Sequence, residues 1–139
     1  QQQRQVFTDS QFVRNLIGTK DRLVEVSPTK LLVGKLDLCI PGFALYAWDG
    51  DKNLFLHNDE LTVHGALSAF STYFRDNSRS LDPGQLKSIG KLISQLVGGS
   101  DGELGNAACT CFLENLAGGY PQLEAVLTGE ARRYWDAWK

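Results

Sequence analysis

A chain of 139 residues, 42 % of them hydrophobic, is long enough to bury one real core and too short for two independent domains. The formal charge of -2 gives no electrostatic reason to bind nucleic acid, which takes clustered Lys and Arg, so a basic or neutral partner is expected instead. No apolar run approaches the roughly 20 residues that span a bilayer, because Lys35, Asp37 and Asp49 interrupt the best stretches. We expect a disordered lead-in over residues 1–7, followed by a single domain over residues 8–139.

Thr8, Asp9 or Ser10 caps a first expected helix, with Phe12, Val13, Leu16 and Ile17 on one face and Gly18 at its end. Ser27 and Pro28 then take the N-cap and first-turn positions of a second helix bearing Leu32, Leu36, Cys39 and Ile40. The same run also alternates as a strand through Leu36, Leu38 and Ile40, and "RLVEV" before it is strand-like. We take the helix as the expectation. "PGFALYAW" is expected to start a short helix at Pro41 that buries Phe43, Ala44, Ala47 and Trp48, the rival being a hairpin through Asp49 and Gly50.

From Thr62 onward, Val63, Leu67, Phe70 and Phe74 recur as one helical face. Asp82 and Pro83 open a further helix carrying Leu86, Ile89, Ile93 and Leu96, closed by Gly98 and Gly99. Ser100 or Asp101 opens the next, whose Leu104, Ala108, Cys111, Phe112 and Leu116 make an apolar band suited to a central helix, ended by Gly118 and Gly119. "YPQLEAVL" reads as a short helix, and Thr128 caps a last one carrying Tyr134, Trp135 and Trp138. The sum is an all-α fold, a compact bundle of six to seven short helices.

The stretch "WDGDKNLFLHNDE" places oxygen-bearing side chains where a calcium loop wants them. With Asp49 as position one, Asp51 is third, Asn53 fifth and Glu60 the bidentate twelfth. Leu54 falls on position six, where the chain turns with positive φ and glycine is normally required, at a cost of about 1–2 kcal/mol for other residues. The other reading is an acidic surface loop between two buried elements. No cofactor is expected.

Three cysteines argue against a closed disulfide framework, which makes the cytoplasm the expected location. The chain starts at Gln1 and has no methionine, so a trimmed signal peptide, and with it an exported form, stays open. Cys109 and Cys111 point about 200° apart on an α-helix and read, like Cys39, as core fillers. His57 and His64 sit in no nucleophile, metalloprotease or phosphate-loop motif, and we expect no enzymatic activity. The terminal "ARRYWDAWK" offers aromatic and Arg anchors for an interface, or two tryptophans that seal the bundle.

"ELGNAACTCFLENLAGG" resembles a helix of the form N-A-x-x-x-x-F-L-E-N-L found in a family of small all-helical bacterial immunity proteins of polymorphic toxins. Asn106, Ala107, Phe112, Leu113, Glu114, Asn115 and Leu116 carry it. "IPGF", "HGALSAFSTYF", the helix from Pro83 to Val97 and "YWDAW" follow in the same order. The resemblance implies an all-α fold and no catalytic residues; Glu114 and Asn115 are expected to satisfy backbone groups in the following turn. Its functional implication is a cytoplasmic immunity protein that occludes a cognate protein toxin with a basic surface, without contact to nucleic acid or membrane. The residues that would meet the toxin are Trp48, Asp49, Asp51, Asp59 and Glu60, chosen for charge complementarity and an aromatic anchor. The alternative is a calcium-binding helix-loop-helix module using Asp49, Asp51, Asn53 and Glu60.

Overall fold

The computed structural model describes residues 27–139; the lead-in and the helix expected from Thr8 to Gly18 lie outside the described residues. Helix α1 spans Pro28–Cys39. The Ser27 hydroxyl accepts from the Lys30 N–H at 3.1 Å, satisfying one of the amides that a helix start leaves without a partner. Leu32, Val33, Leu36 and Cys39 face the core while Leu38 is 83 % exposed. That is a helical stripe, and it rules out the strand pairing of Leu36 with Leu38 and Ile40 on one face.

Helix α2, Phe43–Ala47, starts two residues later than the expected Pro41. Gly42 has φ 101, outside helical space, and a Cβ there would lie 2.7 Å from the Tyr73 hydroxyl. The Asp37 carboxylate accepts from the N–H groups of Gly42 and Ala44 at 3.1 and 2.8 Å, so α1 itself caps α2. Ala44 is only half-buried, and Trp48 falls at the exposed C-cap instead of inside the helix.

Helix α3 runs Val63–Asn77, capped by Thr62 through the Gly65 N–H at 2.9 Å, with Leu67, Phe70 and Phe74 buried. Helix α4, Pro83–Gly98, opens with a reciprocal capping box between Asp82 and Gln85. Its Gly90 lies so close to Val126 that a Cβ would meet the Val126 carbonyl oxygen at 2.5 Å. Only glycine permits that approach of α4 to the turn after the sixth helix.

Helix α5 covers residues 102–116 and is not uniformly α: Gly102–Ala107 is α-helical, Ala108–Leu113 forms a π turn, and Glu114–Leu116 resumes the α-helix. The wider turn changes which side chains reach the core. Ala108, Phe112, Leu113 and Leu116 are buried, whereas Leu104 and Cys111, expected in the apolar band, are half-buried. Asn115 donates to the Cys111 carbonyl at 2.7 Å and to the Ser71 hydroxyl at 3.2 Å, which ties the π turn to α3. Its backbone bond thus goes to the preceding turn rather than the following one, and Glu114 instead accepts from the Tyr134 hydroxyl.

Helix α6 is Pro121–Glu124 and α7 is Gly129–Trp138. The Thr128 side chain makes no capping bond; its N–H donates to the Ser94 hydroxyl at 3.1 Å, anchoring the start of α7 on α4. Trp135 is fully buried and Trp138 is 55 % exposed, so one of the two tryptophans seals the bundle.

The described residues therefore form an all-α bundle of seven helices and contain no strand. Packing is most extensive between α3 and the π turn of α5 and between α4 and α7. Aromatic rings connect the layers: Phe43 meets Phe70 edge-on at 5.0 Å, Phe70 stacks on Phe112 at 5.6 Å, and Phe74 meets Tyr120 at 5.3 Å. Among the described residues no helix is long and apolar enough to cross a membrane.

Candidate functional site

The segment between α2 and α3 holds every partner residue expected from the sequence, and its shape is fixed by one buried side chain. Asn53 is 1 % exposed. Its amide donates to the Ala47 carbonyl at 2.8 Å and its oxygen accepts from the Phe55 N–H at 3.0 Å, while its own N–H donates to the Asp49 carbonyl at 2.8 Å. A buried amide whose nitrogen and oxygen are each hydrogen-bonded to the backbone holds the loop to the end of α2. Asn53→Ala strands the Ala47 carbonyl and the Phe55 N–H, and we expect a loss of about 1–3 kcal/mol in urea denaturation.

At the far end, His57 and Glu60 exchange backbone hydrogen bonds at 3.0 and 2.9 Å across a two-residue turn. Asn58 and Asp59 sit there at φ 53 and 62, the left-handed geometry that such turns demand and that Asn and Asp tolerate best. Nearer α2, the Asp49 carboxylate accepts from the Asp51 N–H at 2.9 Å. The loop thus presents Asp51, Asp59 and Glu60 to solvent, with Asp49 half-buried and Trp48 36 % exposed.

Two apolar residues in or next to this segment were not singled out from the sequence, Leu45 and Phe55, which are 83 and 44 % exposed, and Leu54, noted there only as the misfit at position six of a calcium loop, is 79 % exposed. Leu45 and Trp48 lie three residues apart on the outer side of α2. No periodicity marks Leu54 and Phe55, since a loop has none; an apolar pair inside a polar run was the only available signal.

The geometry departs from a calcium loop at two points. The tight turn with positive φ falls at Asn58 and Asp59, the tenth and eleventh positions, and not at Leu54. The side-chain oxygen of Asn53, the fifth position, already accepts the Phe55 N–H. Among the described residues no group of three or more His, Cys, Asp or Glu side chains is placed to hold a metal ion. We expect millimolar calcium to leave the thermal midpoint unchanged; a midpoint rising with calcium concentration would show binding to the folded state.

A concavity of about 530 Å³ lies where α7 crosses the π turn, lined by Val97, Asn106, Cys109, Glu130, Arg133 and Tyr134 among others. The hydrogen bond to Glu114 favours the neutral phenol and pushes Tyr134 up to about 12. Burial, then the charges of Glu114 and Glu130, raise the Cys109 thiol above its ordinary value, and burial raises Cys39 likewise. Raised thiols are neutral at physiological pH and are poor nucleophiles. The nearest imidazole contact in this region joins His64 Nε2 to the Asn106 amide at 3.4 Å, so that histidine meets an amide rather than a nucleophile. Cys109 and Cys111 are both half-buried and pack against the core.

Fold and site together define a small helical bundle that displays a pinned acidic loop. The chain belongs to the family described as "Domain of unknown function (DUF7674)", which matches residues 36–139 and so includes both the loop and the π-turn cleft. No curated protein and no solved structure matches it.

Proposed function

We propose that this protein is an immunity protein that binds a cognate bacterial toxin in the cytoplasm and neutralises it by occlusion, with no chemistry of its own. The observation that carries the reading is the loop from Trp48 to Glu60, held in one shape by Asn53 and presenting exposed carboxylates next to exposed apolar side chains. A preorganised loop loses little entropy on binding, which is what a stoichiometric inhibitor requires. The carboxylates Asp49, Asp51, Asp59 and Glu60 face a basic toxin surface and Trp48 serves as an anchor. The N-A-x-x-x-x-F-L-E-N-L motif belongs on this reading to the scaffold: Phe112, Leu113 and Leu116 are core, Asn115 ties the π turn to α3, and Glu114 holds Tyr134.

The test is co-expression with the toxin encoded in the adjacent reading frame. Protection of the cells together with a stoichiometric complex on size-exclusion chromatography is the expected result. Full toxicity in the presence of folded protein, for every toxin encoded beside it, would remove the immunity reading.

A further inference from the structure

The proposed function names acidic residues, but carboxylates at an exposed rim contribute rate more than affinity. Affinity at protein interfaces comes from a few large side chains that become fully desolvated. The structure supplies such a group beside the acids. The hydrogen bond from Asn53 to the Ala47 carbonyl, at 2.8 Å, ties residue 53 to the last residue of α2; Trp48 follows directly on that residue, and Leu54 and Phe55 follow directly on Asn53. Leu45 occupies the same outer side of α2 one turn earlier. Four large apolar side chains are thus exposed within a short stretch, although the fold has a complete core without them. Their exposed parts cost solubility, and large apolar side chains left in water together on one short segment point to an interaction site.

The surrounding charge specifies the partner. Asp49, Asp51, Asp59 and Glu60 lie along the same segment, and Lys52 is the one Lys or Arg between Leu45 and Glu60. A second copy of the chain would bring like-charged loops together, which is unfavourable across a desolvated interface. We infer that Leu45, Trp48, Leu54 and Phe55 form the energetic centre of the binding surface and that its occupant is a protein segment offering an apolar anchor flanked by Lys or Arg. The inference rests on the proposed binding role of this loop and adds the chemistry of what it takes. Asn53 acts as a positioning residue: its amide ties the loop to the end of α2 and its oxygen holds the Phe55 N–H.

The experiment pans the full chain against a phage-displayed random peptide library and measures selected peptides by fluorescence anisotropy and stopped flow. Expected are sequences combining an aromatic or aliphatic residue with flanking Lys or Arg. Leu54→Ala with Phe55→Ala should weaken them at least about tenfold, mainly through faster dissociation. Asp51→Asn with Asp59→Asn should slow association and flatten its salt dependence. All four residues changed are exposed, so both variants are expected to fold.

Four results would overturn the assignment: no enriched peptide, enrichment of acidic or uncharged sequences, binding indifferent to these variants, or concentration-dependent dimers abolished by Leu54→Asp, which would assign the surface to a second copy. A photo-crosslinker at Leu45 that captures residues 1–26 of its own chain would overturn it as well. Cationic peptide binding without protection in co-expression would keep this surface and remove the toxin. Protection without such binding would do the reverse.

Discussion

Trp135→Ala lowers the unfolding free energy by about 3–5 kcal/mol in urea denaturation, whereas Trp138→Ala changes it by no more than about 0.5 kcal/mol. The two residues share one helix and one aromatic type, so their difference reports burial together with the hydrogen bond that the buried one makes. Trp135 is fully enclosed between α7 and its neighbours, and its indole N–H donates to Glu124 at 2.7 Å. Removing it opens a cavity that the bundle cannot close, because α4 and α7 are already fixed against each other through Ser94 and the start of α7. Trp138 stands at the end of the helix with more than half its surface in water.

The same contact gives a pH dependence of stated sign. The Trp135 hydrogen bond, then the hydrogen bond from Lys139 and the charges of Lys139 and Arg132, hold the Glu124 carboxyl below its ordinary value against the opposing effect of burial. A carboxylate depressed in the folded state contributes stability above the unfolded-state pKa and loses it as pH falls through the folded one. Acid titration of wild type should therefore cost more stability than titration of Glu124→Gln, with the difference confined to the carboxylate range and below. Equal acid sensitivity of the two proteins would show that this group of contacts contributes nothing.

The larger functional effect is kinetic. On the proposed immunity role, changing Asp49, Asp51, Asp59 and Glu60 to lysine should slow association with the toxin by about 10- to 100-fold at low ionic strength. The gap should narrow as salt rises, since exposed charges are screened within about 10 Å at 0.1 M. Asp51, Asp59 and Glu60 are exposed, and the Asp49 side chain serves a single N–H, so the fold should survive the change. Unchanged rate and salt dependence would place the interface elsewhere on the bundle.

Much of this molecule was legible in its residues. The starts of α1 and α4 followed from Ser27 with Pro28 and from Asp82 with Pro83, and that of α3 from the apolar stripe that begins after Thr62, because these signals lie between residues close in sequence. The helical stripe in α3 and α4 was visible for the same reason. What could not be read was set by contacts between distant residues. The start of α2 depends on Asp37 reaching Gly42 and on Tyr73 crowding that glycine. The π turn at Ala108–Leu113 has no periodicity of its own to announce it, and the band through Cys111 was drawn as if the helix were regular. Thr128 looked like a cap, yet the amide there goes to Ser94, thirty-four residues earlier. In the loop, the acids and Trp48 stood out by composition, while Asn53 looked like a metal ligand and is a buried tie between Ala47 and Phe55.

Hydrogen exchange of the full chain with and without the proposed toxin partner tests the central claim most directly. Binding through the pinned loop should slow exchange at residues 45–60 and leave α4 and α7 as they are in the free protein. Protection confined to α4, α7 and the π-turn cleft, with residues 45–60 exchanging as before, would contradict it.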